Sequence, residues 1–422
     1  MSSALRFCMV STYYPPYSYG GDGITLQRLC RALVRAGHEV TVVHDADAYT
    51  SLGRPEPRCQ PANDGVRVVT LRSVLGMASL LLTYELGRPV VHGARIAELL
   101  REGRFDVVHF HNVSLVGGPG LFALARGSAT IYTAHEHWLV CPTHVLWRHR
   151  REPCTGRECV RCSLSYGRPP QLWRGTGLLE RSLADVDTFI ALSEFSRAKH
   201  REFGFPRDME VLPPIVFDAD ADSVEAPAAR PHARPYFFYA GRLERIKGLD
   251  DVLPLFRDRG TPADLVIAGT GSHEPVLRAL AAGAPNIHFL GHLPPERLAP
   301  LYRYAIAHIA PSVCFETFGN TLVESFRQSA PVVARRIGPF PEIVTHAGGG
   351  ELFDDSASLQ AALDRIASAP TYRDRLGAAG RRAYEATWSE EAIVPRYLEI
   401  VERTIARRAP SRAVAAPAAL VT

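Results

Sequence analysis

The chain is predicted to be an α/β protein of two doubly wound, Rossmann-like domains that face each other across a cleft. Three observations predict this. Its 422 residues exceed the size at which a single hydrophobic core stops growing. Short apolar runs alternate with amphipathic ones along most of its length, which is the pattern of a parallel sheet wrapped by helices. The alternation breaks once, at the polar, Ala- and Pro-containing stretch DADADSVEAPAARPHARP between Asp218 and Pro235, and then restarts, as at a domain boundary.

The first domain, residues 1–217, is expected to take its strands from RFCMVS, EVTVVH, VRVVTLR, DVVHFH, TIYTAHE and TFIALS. Helices are expected at ITLQRLCRALVRAG and from Ile96 to Leu100, where apolar residues recur at helical spacing. The second domain, 232–388, repeats the scheme with YFFYAG, DLVIAG, NIHFLG, AIAHIAPS and PVVARR. After Trp388, AIVPRYLEIVERTIA reads as a terminal helix over 389–406. Residues 407–422 are rich in Ala, Arg and Pro without periodicity and are expected to form a disordered tail.

Composition excludes some functions. Hydrophobic content of 46% suits a globular protein, and 48 Lys plus Arg against 44 Asp plus Glu is too even for a dedicated nucleic-acid surface. The N-terminus enters an apolar run without the basic segment, long apolar region and cleavage site of a signal peptide, which points to a cytoplasmic protein. The longest apolar stretch, Leu75 to Leu86, contains Tyr84 and Glu85 and is too short to span a bilayer. It leaves room for an interfacial helix near the cleft, and so for peripheral association with a membrane.

In open α/β sheets ligands sit beyond the carboxyl ends of the strands, so the residues there carry the functional information. After the first strand, Gly20, Gly21 and Gly23 precede a helix whose free N–H groups suit an anion; a flexible loop gives the same glycines. After the first strand of the second domain, Arg242 and Lys247 lie between Gly241 and Gly248. An Arg fork and a mobile Lys charge on a short glycine-bounded loop suit a diphosphate. The following strand ends present Ala268 to Ser272, Gly291 to Leu293, and then PSVCFETFGNTLVES with Glu316 and Glu324. On a helix beginning near Gly319, Thr321, Glu324 and Gln328 share a polar stripe opposite Leu322 and Phe326. Carboxylates there can accept two hydrogen bonds from a diol, while backbone amides of Phe318, Gly319 and Asn320 can donate to the same ligand.

These residues resemble glycosyltransferase family 4. The resemblance rests on Glu316 and Glu324 as two glutamates separated by seven residues, on Gly241-Arg242 with Lys247-Gly248, on Pro311 to Val344, on the Gly20-Gly21 loop and on a histidine in YTAHEHW. It spans the chain to about residue 405. It implies the GT-B fold, a nucleotide-sugar donor, an acceptor that the sequence does not identify, and transfer with retention of anomeric configuration. It further implies that Glu316 contacts the donor sugar, Glu324 the ribose, and Arg242 with Lys247 the diphosphate, with Gly20, Gly21, Gly271 and Leu293 also on the donor's side. His135 would lie by the transferred sugar, although His109, His111 and His137 are neighbours in sequence. No catalytic metal is implied. In this fold the terminal helix would cross back to the first domain.

An insert at about 137–175 departs from the family's minimal pattern. It holds four of the eight cysteines, Cys141, Cys154, Cys159 and Cys162, and seven arginines from Arg148 to Arg174. Thiols ending in Cys-x-x-Cys suit tetrahedral zinc, and a reducing compartment disfavours disulfides; free thiols are the alternative, and an iron–sulfur cluster a weaker one. The arginines suit an anionic acceptor, a membrane surface, or simply a solvated lobe. Two rival functions are a basic scaffold that uses this lobe for binding, and a nucleotide-dependent oxidoreductase, whose only support is the Gly269-Thr270-Gly271 turn.

Overall fold

The computed structural model describes residues 4–18, 20–51, 53, 56–57, 64–216, 230–258 and 263–414. The first domain holds β1 (Arg6–Val10), β2 (Glu39–Asp45), β3 (Arg67–Leu71), β4 (Val107–Phe110) and β5 (Ala129–Ala134), then a short hairpin of β6 (Trp147–Arg148) and β7 (Glu152–Pro153), then β8 (Thr188–Ala191) and β9 (Met209–Val211). All but the hairpin form one parallel sheet in the order β3-β2-β1-β4-β5-β8-β9. The second domain holds β10 (Tyr236–Ala240), β11 (Asp264–Ala268), β12 (Ile287–Phe289), β13 (His308–Ala310), β14 (Val332–Arg335) and β15 (Gly350–Phe353). Its parallel order is β12-β11-β10-β13-β14-β15.

Both central strands are buried on both faces, which explains why they read as unbroken apolar runs. In β1, Cys8 and Val10 face one apolar cluster while Phe7 and Met9 face another. In β10, Phe237 and Tyr239 alternate in the same way with Tyr236 and Phe238. Each sheet reverses its winding beside its central strand, between β1 and β4 and between β10 and β13. The loops that leave these four strands therefore diverge and open a crevice at each reversal point.

Besides the β6–β7 hairpin, two strands of the parallel sheets escape the sequence reading. β9 is a three-residue edge strand, and β15 is only partly buried, follows Gly348 and Gly349 and begins with Gly350, so neither carries a strong apolar pattern. The terminal helix also runs further than expected, from Glu390 to Val414, which corrects the start of a disordered tail at 407; Ala and Arg favour helix without any periodicity. Residues 415–422, and most of the boundary stretch at 217–229, lie outside the described residues.

That helix belongs to the second half of the sequence but packs on the first domain. Ile393, Tyr397, Ile400 and Val401 are buried in the cluster formed by Phe7, Met9, Leu26 and Val42. The Tyr397 hydroxyl lies 2.9 Å from His109 Nδ1, and Thr404 Oγ1 lies 2.8 Å from Thr188 Oγ1. Replacing Ile400 by Ala removes buried methyl groups and leaves a cavity, so it should cost about 3 kcal/mol. Urea denaturation followed by first-domain fluorescence checks this; an unchanged midpoint would show that the helix does not brace that domain.

Candidate active site

The crevice between the domains contains two adjoining cavities. The smaller, about 330 Å³, is lined by Gly20, Gly21, Arg242, Lys247, Glu316, Phe318, Gly319, Asn320 and Glu324, together with Asp22 and His135. The larger, about 660 Å³, shares Gly20, Gly21, Asp22, His135, Arg242 and Lys247. It extends past Leu80, Leu81 and Tyr84 on one side and Thr143, His144 and Arg168 on the other. The shared residues form the junction.

At the junction Lys247 Nζ sits 2.5 Å from Glu316 Oε1, and Ser312 Oγ donates to the same oxygen at 2.9 Å. Burial pushes the Glu316 carboxyl up, but the Lys247 charge and these hydrogen bonds outweigh it and hold the group below the ordinary carboxylate range. It is therefore an anion with lone pairs directed into the cavity. Lys247 follows β10 on a tight turn closed by Gly248, whose φ of 73° suits glycine and where a Cβ would lie 2.1 Å from the Pro311 carbonyl oxygen. That close approach brings the loop after β10 against the loop after β13.

Glu324 lies one turn into the helix Asn320–Arg327. Tyr302 Oη donates to its Oε2 at 2.8 Å. Burial raises this carboxyl, against the pull of the Arg28 charge from the first domain. The start of the same helix meets the start of Gly21–Arg35: a Cβ on Gly21 would lie 3.2 Å from Asn320 Nδ2. Two helix N-termini thus converge on the smaller cavity, where free amides favour an anion. The domains also touch through Thr317, whose Oγ1 donates to the His135 carbonyl at 2.7 Å and whose carbonyl accepts from Ser193 Oγ at 2.8 Å.

The histidines separate by position. His109 is tied up in the first domain's interior, between Tyr397 and Thr133. His111 Nδ1 lies 2.8 Å from His135 Nε2, and it lines neither of the two cavities. His135 lines both, and His137 only the larger. Burial lowers the His135 imidazole to about 4, so it is neutral at pH 7 and can donate or accept one hydrogen bond there.

Gly271 and Leu293 do not line either cavity. Leu293 is packed in the second domain's apolar interior. The glycines of the Gly269-Thr270-Gly271 turn serve loop packing: a Cβ on Gly269 would lie 1.9 Å from the Gly241 oxygen, and one on Gly271 would lie 2.3 Å from the Leu243 oxygen. The turn thereby loses its value as a sign of a dehydrogenase.

Sequence reasoning missed two carboxylates. Asp22 sits at the junction, accepts from Asn112 Nδ2 at 3.2 Å, and is pushed up to about 6 by burial and then by the nearby Glu136 charge. Glu136 lines the larger cavity and pairs with His144 at 2.6 Å. Both stand inside segments read for other residues, GGDG for its glycines and AHEHW for its histidine.

Two facing Rossmann-like domains with a ligand-type crevice between their strand ends define the GT-B architecture. Residues 19–220 match the family described as Glycosyltransferase Family 4, and residues 221–383 the one described as Glycosyl transferases group 1. The chain is 35% identical over 397 residues to a D-inositol 3-phosphate glycosyltransferase of Thermobifida fusca, covering 86% of this chain and 83% of that one. It is 29% identical over 406 residues to a glycogen synthase of Mycobacterium tuberculosis, covering 90% of each. Among solved structures, Anabaena HepE in complex with UDP aligns with a TM-score of 0.64 at 15% identity, over 94% of this chain and 100% of that one. The chain belongs to glycosyltransferase family 4 and is a glycosyltransferase of the GT-B type.

The raised Asp22 carboxyl carries a pH-dependent cost. Its folded-state value of about 6 exceeds the ordinary value of about 3.9, so the folded state holds the proton more tightly. The destabilisation is absent below about pH 4 and grows as pH rises to about 6. Asp22→Asn should therefore stabilise the protein by about 1–2 kcal/mol at pH 7.5 and hardly at all at pH 4. Thermal denaturation at the two pH values measures the difference, and an equal effect at both would contradict the origin of the shift.

Proposed function

We propose that the chain transfers a sugar from a nucleotide-sugar donor to a hydroxyl acceptor with retention of anomeric configuration. The observation that carries this reading is the gathering of Arg242, Lys247, Glu316 and Glu324 around one cavity that opens directly into a second. In this reading the smaller cavity takes the donor and the larger the acceptor. Lys247 and Arg242 receive the diphosphate, Glu316 accepts hydrogen bonds from sugar hydroxyls, and Glu324 accepts from the ribose. The two cations offset the charge that grows on the diphosphate as the glycosidic bond breaks, an effect that is larger in a water-poor cleft than in bulk. The acceptor hydroxyl attacks from the face on which the nucleotide leaves. Its proton passes to a departing phosphate oxygen, with the neutral His135 beside the transferred sugar. The relative solved with UDP supports a nucleotide donor.

The acceptor carries an apolar part in this reading. Leu80, Leu81 and Tyr84 of the helix Met77–Leu86 line the larger cavity, and the outer face of that helix leaves Met77, Leu81, Leu82 and Leu86 exposed. Such a face beside the acceptor's entrance suits peripheral contact with a membrane on its cytoplasmic side. Among the described residues no helix is long and apolar enough to cross one.

Glu316→Gln should abolish most turnover with any accepted nucleotide sugar while nucleotide affinity survives; Glu324→Ala should instead weaken the nucleotide. Parallel kinetics and calorimetry separate the two, and full activity in both variants would remove the glutamates from the site. Arg242→Ala or Lys247→Ala should each lower turnover by about a hundredfold, near 3 kcal/mol, as expected on removing one electrostatic stabiliser of a transition state. The anomeric coupling in the product's proton NMR spectrum should match the donor's, and inversion would overturn the mechanism.

A further inference from the structure

The helix Met77–Leu86 supplies Leu80, Leu81 and Tyr84 to the wall of the larger cavity, and the two ends of the excursion that carries it return to one place. Before the helix, the Ser73 backbone N–H donates to Asp47 Oδ2 at 2.7 Å. After it, His92 Nε2 lies 3.9 Å from Asp45 Oδ2. Residues 73–92 are thus held at both ends against the carboxyl end of β2, where Asp45 closes the strand and Asp47 stands in the short helix Ala46–Thr50. Ser51, next after that helix, lines the larger cavity as well.

This cluster is unfinished on one side. Asp45 Oδ1 accepts from the Asp47 and Ala48 amides at 2.9 and 3.4 Å. Asp45 Oδ2 and His92 Nε2 have no hydrogen-bond partner, although Asp45 is only 1% and His92 only 7% exposed. Their separation is too long for a direct hydrogen bond, and buried polar atoms left without partners are costly. The carboxylate charge is unmatched too: among the described residues neither Asp45 nor Asp47 is paired with a lysine or arginine. A water molecule could bridge the two orphaned atoms but would leave that charge in place. A divalent cation answers both.

The geometry admits one. A ligand atom from each of Asp45, Asp47 and His92 lies within 4.8 Å of those from the other two. Two atoms bound to one zinc ion can be at most about 4.3 Å apart, so the 3.9 Å gap spans such an ion with little side-chain movement. The four insert cysteines expected to hold zinc are free thiols and form no such grouping among the described residues. The other grouping, His232, Asp264 and His288, is already closed: both rings contact Asp264 Oδ2, at 2.7 and 3.0 Å, and Arg234 lies 3.1 Å from Oδ1.

We propose that Asp45, Asp47 and His92 bind one divalent transition-metal ion, best matched by zinc, which clasps both ends of the 73–92 excursion to β2 and so fixes the helix that walls the larger cavity. Mixed imidazole and carboxylate ligation favours zinc over calcium or magnesium, which take oxygen ligands. His92 binds through Nε2 as a neutral ring and the aspartates bind as anions. Any proton they carry passes to solvent, and no oxidation state changes. Two carboxylates against Zn²⁺ leave the cluster near neutral, which suits its burial.

The test uses the full chain, stripped with a chelator and titrated with zinc chloride, and none of its readouts requires turnover. Calorimetry should find about one zinc per chain, with a rise in melting temperature. Amide hydrogen exchange should slow in peptides from residues 73–92. Asp45 also caps the helix Ala46–Thr50, so the informative variants are His92→Gln and Asp47→Asn. Without zinc, His92→Gln should melt like the wild type, because Nε2 has no hydrogen bond to lose, and it should gain nothing when zinc is added. Asp47→Asn keeps an oxygen for the Ser73 N–H and should weaken zinc at least about tenfold. Cobalt in place of zinc should show visible absorption without an intense thiolate-to-metal band, and His288→Ala should leave zinc binding unchanged. The proposal fails if the folded wild-type chain takes up no zinc, or if His92→Gln binds it as tightly as the wild type. Thiolate absorption with cobalt would place the metal at the insert cysteines, and loss of zinc in His288→Ala would place it beside Asp264; either result overturns the assignment.

Discussion

A lysine and a glutamate held 2.5 Å apart in a cleft form the contact on which the rest of the site depends. Bringing two charges out of water is unfavourable unless each is well paired, and here the pairing joins the loop after β10 to the loop after β13. Those loops leave the second domain's sheet at the point where its winding reverses. The fold opens a crevice there, and the ion pair sets what the crevice can hold. Glu316 stays ionised because Lys247 and Ser312 face it, and Lys247 lines both cavities as a cation that an incoming anion can share.

The first domain completes the site from the other side. Its own winding reversal puts Gly20, Gly21 and Asp22 after β1 and Asn112 after β4, with Gly21 set against Asn320, while His135 after β5 meets Thr317. Closeness is possible because Gly21 offers no side chain to Asn320. The terminal helix adds the long-range tie. It leaves the second domain after Trp388 and buries Ile393, Tyr397, Ile400 and Val401 in the first, so the domains are linked both at the cleft and behind it. Coupling of this sort lets residues more than a hundred positions apart, such as His135 and Thr317, touch directly in the wall of both cavities.

Much of this was legible in the sequence because a parallel sheet places chemistry at one edge. Apolar runs located the strands, and the residues just beyond them included Arg242, Lys247, Glu316 and Glu324. The same rule overreached at Gly271 and Leu293, where a strand-end position served packing: nothing in the residue types distinguishes a glycine that admits a ligand from one that admits a neighbouring carbonyl. Asp22 and Glu136 were hidden for the opposite reason, since each stands beside a more conspicuous residue. The choice among four histidines needed three dimensions. His109 and His135 carry the same chemistry, but only one of them reaches the two larger cavities, and its burial keeps it a neutral ring at pH 7.

The central claim is that this crevice recognises a diphosphate through fixed charge and helix ends, before any sugar or base is distinguished. Calorimetric titration of the wild-type protein with matched nucleosides and nucleoside diphosphates tests it most directly. For the preferred base, the diphosphate should bind at least about tenfold more tightly than the nucleoside, a gap of about 1.4 kcal/mol or more, and that gap should narrow as salt is added. Equal affinity for the two, or a gap indifferent to salt, would contradict the account.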